Sequence, residues 1–178
     1  MDTAISNAKP IRLIVVMGVS GCGKSTVGSG LARRLGWKFT DGDDLHPPQN
    51  VSRMESGLPL NDAMREPWLK AICRHSENRF QSNESLVVAC SALKKSYRDI
   101  LRTVSKPIRF LFLDGSPEII SKRLNAREGH YMPASLLNTQ FADLESPAEE
   151  VDVISIDIEN TISGLIEEAF SKVQDLVD

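Results

Sequence analysis

The stretch IRLIVVMGVSGCGKST, Ile11 to Thr26, sets seven residues that are apolar except for Arg12 directly before three glycines, a lysine and a Ser-Thr pair. Gly18, Gly23, Lys24 and Ser25 satisfy the spacing GxxxxGK[ST]. Glycines at that spacing let backbone N–H groups approach a phosphate chain, and the helix that follows points its positive end at the same place. Lys24 is predicted to reach the β and γ phosphates, and the Ser25 hydroxyl to bind a bridging Mg²⁺. The competing reading is a tight glycine turn with a solvated lysine. Cys22 reads as a small residue in the loop, although a thiol at a helix N-terminus can be acidified and oxidisable.

Outward from this stretch, further apolar runs of strand length recur at 37–40, 85–91, 108–113 and 151–156, making five strands with Ile11–Met17. Helix-period segments separate them: 26–35, 67–80, 94–102, 117–127, 133–145 and 161–177. Alternation of this kind predicts a doubly wound α/β fold with a five-stranded parallel sheet covered by helices on both faces, and the GxxxxGK[ST] loop at its first strand marks it as a P-loop NTPase domain. One domain over 11–178 follows a tail at 1–10. Pro67 is expected in the first turn of its helix. The segment 42–67 carries four prolines and two glycines, so it is read as loops around a short helix at 49–55, forming a substrate-binding flap. FLFLD, 110–114, ends in an aspartate, but its late position predicts a strand away from the glycine loop, and Asp114 is not a candidate.

The net charge of −3 excludes a protein built to grip nucleic acid through its backbone. The longest apolar run is too short to cross a bilayer, and the first ten residues do not read as a secretory leader. Cys22, Cys73 and Cys90 lack paired spacing, which predicts reduced thiols and a cytoplasmic location, with no structural metal.

Asp41, Gly42, Asp43 and Asp44 follow the second strand, where an open α/β sheet collects ligands. One carboxylate there would help hold Mg²⁺; another would align an acceptor hydroxyl and take its proton. An acidic turn that merely caps a helix is the alternative. Lys122, Arg123, Arg127 and His130 end a helix before a glycine loop, and either close over a nucleotide or form a solvated face. Lys94, Lys95 and Arg98 either hold a substrate anion or open a surface helix.

Four blocks in order resemble the gluconokinases, a branch of the shikimate-kinase-like small-molecule kinases: GVSGCGKSTVG (18–28), DGDDLHPPQNVSRMESGLPLND (41–62), CSALKKSYRDILR (90–102) and REGHYMPASLLNTQFADLE (127–145). The resemblance covers about Leu13 to Pro147 and implies transfer of phosphate from ATP to D-gluconate, giving 6-phospho-D-gluconate for the pentose phosphate route. It implies ATP at Gly18, Val19, Ser20, Gly21, Cys22, Gly23, Lys24, Ser25 and Thr26, with Asp41 beside Ser25 at the metal. By the same resemblance Asp43 orients the gluconate hydroxyl, while His46, Arg53, Arg65, Lys94 and Arg98 contact gluconate, and His130 and Gln140 contribute. Arg123 lies by adenine and Arg127 in a lid at about 127–134. Relatives of this kind are often dimers. Asp44 stands where they often carry apolar residues, and Arg53 where lysine is frequent, which keeps the charge but changes the donor geometry. A kinase for another small acceptor, such as shikimate or a nucleoside monophosphate, would share the loop but not the LHPPQN and LPLND segments. A nucleotide-binding switch would not require the paired aspartates.

Overall fold

The computed structural model describes residues 9–125 and 134–177. At its centre is β1, Leu13–Met17, whose five side chains are all buried. Branched apolar residues on both sides of a strand suit only a position covered by helices on both faces. β1 pairs in parallel with β3, Leu86–Ala89, on one side and with β4, Ile108–Asp114, on the other, with Val15 opposite Val88 and Phe110. The edges are β2, Lys38–Asp41, and β5, Val153–Asp157, giving the order β2-β3-β1-β4-β5.

Alternation along β1 divides the core in two. Ile14 and Val16 face a cluster with Val27 and Leu31 of α1 (Lys24–Leu35), Ile120 of α5 (Pro117–Asn125), Leu137 of α6 (Ala134–Asp143), and Leu165 and Ala169 of α7 (Ile162–Val173). Leu13, Val15 and Met17 face Trp68, Leu69 and Ile72 of α3 (Asp62–Gln81) and Tyr97 and Leu101 of α4 (Lys95–Leu101). The flap contains a 3₁₀ turn at Gly42–Leu45 and the short α2, Pro48–Glu55.

Two expectations are corrected. The strand ending in Asp114 lies directly beside β1, because the chain crosses over β1 between β3 and β4. The Leu113 carbonyl would be only 2.9 Å from a Cβ placed on Gly18. The helix expected from Pro67 begins five residues earlier, so the proline sits inside it. Asn61 accepts a hydrogen bond from the Met64 N–H at 2.9 Å and starts the helix there, which leaves Pro67 past the first turn, where it supplies no N–H to the helix.

Candidate active site

All five strands are parallel, so their C-terminal ends open on one edge of the sheet, where ligands of such folds bind. The glycine loop joins β1 to α1 at that edge. Gly18 has φ +139°, and Gly23, the N-cap of α1, has φ +101°. At Gly18 a side chain would be strained in backbone and would also meet the Leu113 carbonyl and the Cys22 sulfur at 2.8 Å. A glycine cap offers no side chain to the amides that open α1, which suits them to an anion. Lys24 Nζ donates to the Val19 carbonyl at 3.0 Å, so the lysine lies along the loop. Cys22 is fully buried, and burial pushes its thiol pKa up, against the acidified alternative; it fills space.

Beyond β2, the Asp41 carboxylate accepts from the Ser25 hydroxyl at 2.5 Å through one oxygen and from the Asp43 N–H at 3.1 Å through the other. This bond joins the two segments expected to share a metal. A hydroxyl and a carboxylate are the hard oxygen donors that Mg²⁺ takes, and the ion ordinarily needs only one or two carboxylates besides phosphate and water. Among the described residues there is no cluster of three or more acidic, His or Cys side chains that would suggest a different metal.

The Asp43 carboxyl pKa is raised, first by desolvation and then by the neighbouring Asp41 charge, with Lys24 opposing. Its side chain is still 83% exposed, so water screens both effects and keeps the rise small. His46 Nε2 lies 3.9 Å from an Asp43 oxygen. That ring is 4% exposed and stacks on Trp68 at 4.1 Å and 16°. Burial, reinforced by the Arg65 charge, lowers the His46 pKa to about 4, so the ring is neutral at pH 7. Asn50, itself buried, points its amide nitrogen at His46 Nδ1 (3.4 Å) and donates to the Met64 carbonyl (2.9 Å). His46 Nδ1 is therefore the acceptor, and the proton sits on Nε2, facing Asp43. Trp68 Nε1 donates to the Gly42 carbonyl at 2.6 Å and fixes the turn that carries both.

Next to this acidic turn, Arg65 and Lys94 share partners. Arg65 donates to the Tyr97 hydroxyl at 2.9 Å and reaches Asp143 at 3.5 Å, while Lys94 lies 2.9 Å from Asp62 and 3.8 Å from Asp143. Tyr97 donates in turn to Asp62. The two cations keep 24% or less of their side-chain surface, an arrangement able to receive a carboxylate. Arg53 Nε donates to the Pro59 carbonyl at 2.8 Å and holds the loop between α2 and α3. Gln140 accepts from the Ser20 N–H at 2.6 Å, which puts it on the glycine loop. Arg123 reaches the carbonyls of Ile158 and, at 3.1 Å, Asn160, on the connection after β5.

Arg98 is a correction. Its side chain is completely buried, with Nε on Glu150, Nη1 on the Ala92 and Leu93 carbonyls and Nη2 on Glu145 O and Glu150. Every donor is engaged internally, so it shapes the turn after β3 instead of meeting a substrate. Arg127 and His130 lie outside the described residues.

Asp62, Trp68, Tyr97 and Asp143 belong to the site without having been singled out in the sequence. Asp62, Tyr97 and Asp143 stand inside the quoted blocks, but Asp143 is 78 residues from Arg65 in the chain, so its pairing is set only by the fold. Trp68 had only an ordinary core-helix signal, because an indole that packs and also donates looks like any other core aromatic.

A shikimate kinase family profile matches residues 20–174. A gluconokinase of Gluconobacter oxydans is 48% identical over 164 residues, covering 92% of each chain. The thermoresistant gluconokinase of Escherichia coli is 44% identical over 87% of this chain and 89% of its own. Among solved structures, a gluconokinase from Sinorhizobium meliloti superposes with a TM-score of 0.86 at 43% identity over 95% of both chains. A shikimate kinase from Aquifex aeolicus shares the fold at TM-score 0.60 and 17% identity, covering 92% of this chain and 96% of its own.

Proposed function

The chain belongs to the gluconokinase branch of the shikimate kinase family, and from that membership we propose that it transfers the terminal phosphoryl group of ATP to the 6-hydroxyl of D-gluconate, giving ADP and 6-phospho-D-gluconate. The observation that carries this reading is the single edge where the glycine loop, the Ser25–Asp41 pair, Asp43 and the Arg65–Lys94 cations converge. Loop amides and Lys24 take the phosphates. The Arg65–Lys94 pair takes the gluconate carboxylate, and Arg53 and His46 of the flap are assigned to its hydroxyls. Ser25 and Asp41 are the residues that would hold Mg²⁺, which when bound offsets negative charge on the phosphate oxygens.

Asp43 aligns the acceptor hydroxyl. As its oxygen forms a bond to the γ phosphorus, the bond from that phosphorus to the β–γ bridging oxygen breaks, and the hydroxyl proton passes to Asp43. A raised pKa makes Asp43 a better acceptor for that proton. His46 turns its neutral Nε2–H towards Asp43 across 3.9 Å. Arg123 is assigned to the adenine side, Arg127 to charge on the transferring group, and His130 to the acceptor. A cytoplasmic location agrees with the use of ATP. No described helix is long and apolar enough to cross a membrane.

The test is ADP release from Mg-ATP across gluconate, its epimers, shikimate, glycerate, AMP and no acceptor. Turnover driven by gluconate alone supports the reading. A different preferred acceptor overturns the assignment of the flap, and no acceptor dependence overturns the kinase reading itself.

A further inference from the structure

Helix α6 touches both halves of the site. Gln140 Oε1 accepts from the Ser20 amide at 2.6 Å, within the phosphate-binding loop. Three residues on, at the end of the same helix and so on nearly the same side, Asp143 faces Arg65 at 3.5 Å and Lys94 at 3.8 Å. The segment that follows is tied to the turn after β3: Glu145 N–H donates to the Leu93 carbonyl at 3.0 Å, and the Glu145 carboxylate accepts from the Lys95 N–H at 2.6 Å. Leu137, 4% exposed, anchors the helix in the core, and Leu144 touches both apolar clusters. One short, internally hydrogen-bonded rod thus joins a phosphate-loop amide to the acceptor cations.

We propose that Gln140 is a positioning residue through which occupancy of the phosphate loop releases the acceptor cations from Asp143. This rests on the reading of Arg65 and Lys94 as the acceptor's carboxylate site. The Ser20 N–H is held by a neutral amide oxygen, and a negatively charged phosphate oxygen is the stronger acceptor. Phosphate entering the loop takes that N–H, Gln140 lets go, and α6 loses its hold at that end. Asp143 then withdraws from Arg65 and Lys94, leaving Arg65 on Tyr97 and Lys94 on Asp62 with one carboxylate fewer to compete with an anionic acceptor. The nucleotide thereby raises affinity for the acceptor without touching it, and by linkage the acceptor raises affinity for the nucleotide equally.

Hydrogen exchange on the full chain, with and without a non-hydrolysable Mg-ATP analogue, tests this without gluconate. In the wild type the analogue is expected to slow exchange at 18–26 and to speed exchange at 93–97 and 143–146, by about two- to tenfold, the loss of one net hydrogen bond. In Gln140→Ala, 93–97 and 143–146 should exchange fast from the start and ignore the analogue, while 18–26 still responds. Gln140→Glu, which keeps an acceptor at the same reach, should restore slow exchange in the absence of the analogue. The proposal is overturned if the wild type shows no distant response, or if that response survives in Gln140→Ala. Failure of the gluconate reading would appear separately, as absent gluconate-dependent turnover.

Discussion

Replacing Arg98 with methionine should unfold the protein at a markedly lower temperature. The substitution keeps an unbranched chain of similar length and removes the charge and five N–H donors from a side chain with no exposure. Losing one member of a buried ion pair costs about 3–5 kcal/mol. Two features favour the low end: Glu150 retains Arg102, and the Leu93 carbonyl retains the Glu145 N–H. The carbonyls of Ala92 and Glu145 lose the Arg98 donors that hold them, and Ala92 sits at φ +44°, a conformation those bonds help maintain. About 3 kcal/mol in a chain of this size lowers Tm by about 6–12 °C. Thermal unfolding followed by circular dichroism measures it, with steady-state kinetics beside it. A Tm within about 2 °C of wild type together with a raised gluconate KM would refute the reasoning and return Arg98 to the substrate site.

Four further outcomes are expected. Asp43→Asn should lower kcat by about 10²–10⁴ with the ATP KM little changed, and a rise in gluconate KM alone would make Asp43 a binding residue. Because that carboxyl must be ionised and its pKa is raised, wild-type kcat should fall with decreasing pH at a higher pH than an ordinary aspartate dictates. His46, with a folded pKa of about 4, adds stability that is fully present above its unfolded value near 6.5 and is lost as pH falls towards 4. The window corresponds to roughly 3 kcal/mol at most, so Tm should drop more between pH 7.5 and 4.5 in wild type than in His46→Gln, and equal drops would contradict the assignment. In Gly42→Ala the new Cβ would lie 2.5 Å from the Ala89 carbonyl, a backbone atom that cannot step aside; about 1–3 kcal/mol of stability should be lost, with kcat, and an unchanged melting curve would count against it.

Much of the fold was legible because it is locally encoded. LIVVM announces a strand buried on both faces, and GxxxxGK[ST] announces its own turn, since only glycines accept the backbone observed at Gly18 and Gly23. The start of α3 is hidden in the sequence because Pro67 is a louder signal than Asn61, whose capping bond depends on where the chain turns. The placement of β4 could not be read, since strand order is a property of the crossover connections and not of any one segment. The site shows the same division. Lys24, Ser25, Asp41 and Asp43 declare themselves by residue type and spacing. Arg98 and Arg65 look alike in sequence, yet one is sealed against Glu150 and the other faces Tyr97 and Asp143.

What the sequence by itself determined is the phosphate loop, the alternation of strands and helices and the kinship with gluconokinases, because each rests on residues that are neighbours in the chain. Tertiary structure alone decided which cations face the site and which brace it. It also decided the tautomer of His46, set by Asn50, and the placement of Gln140 on Ser20, 120 residues away. Those outcomes depend on burial and on partners from distant segments, and a side chain's donors acquire a role only once packing has chosen what they meet.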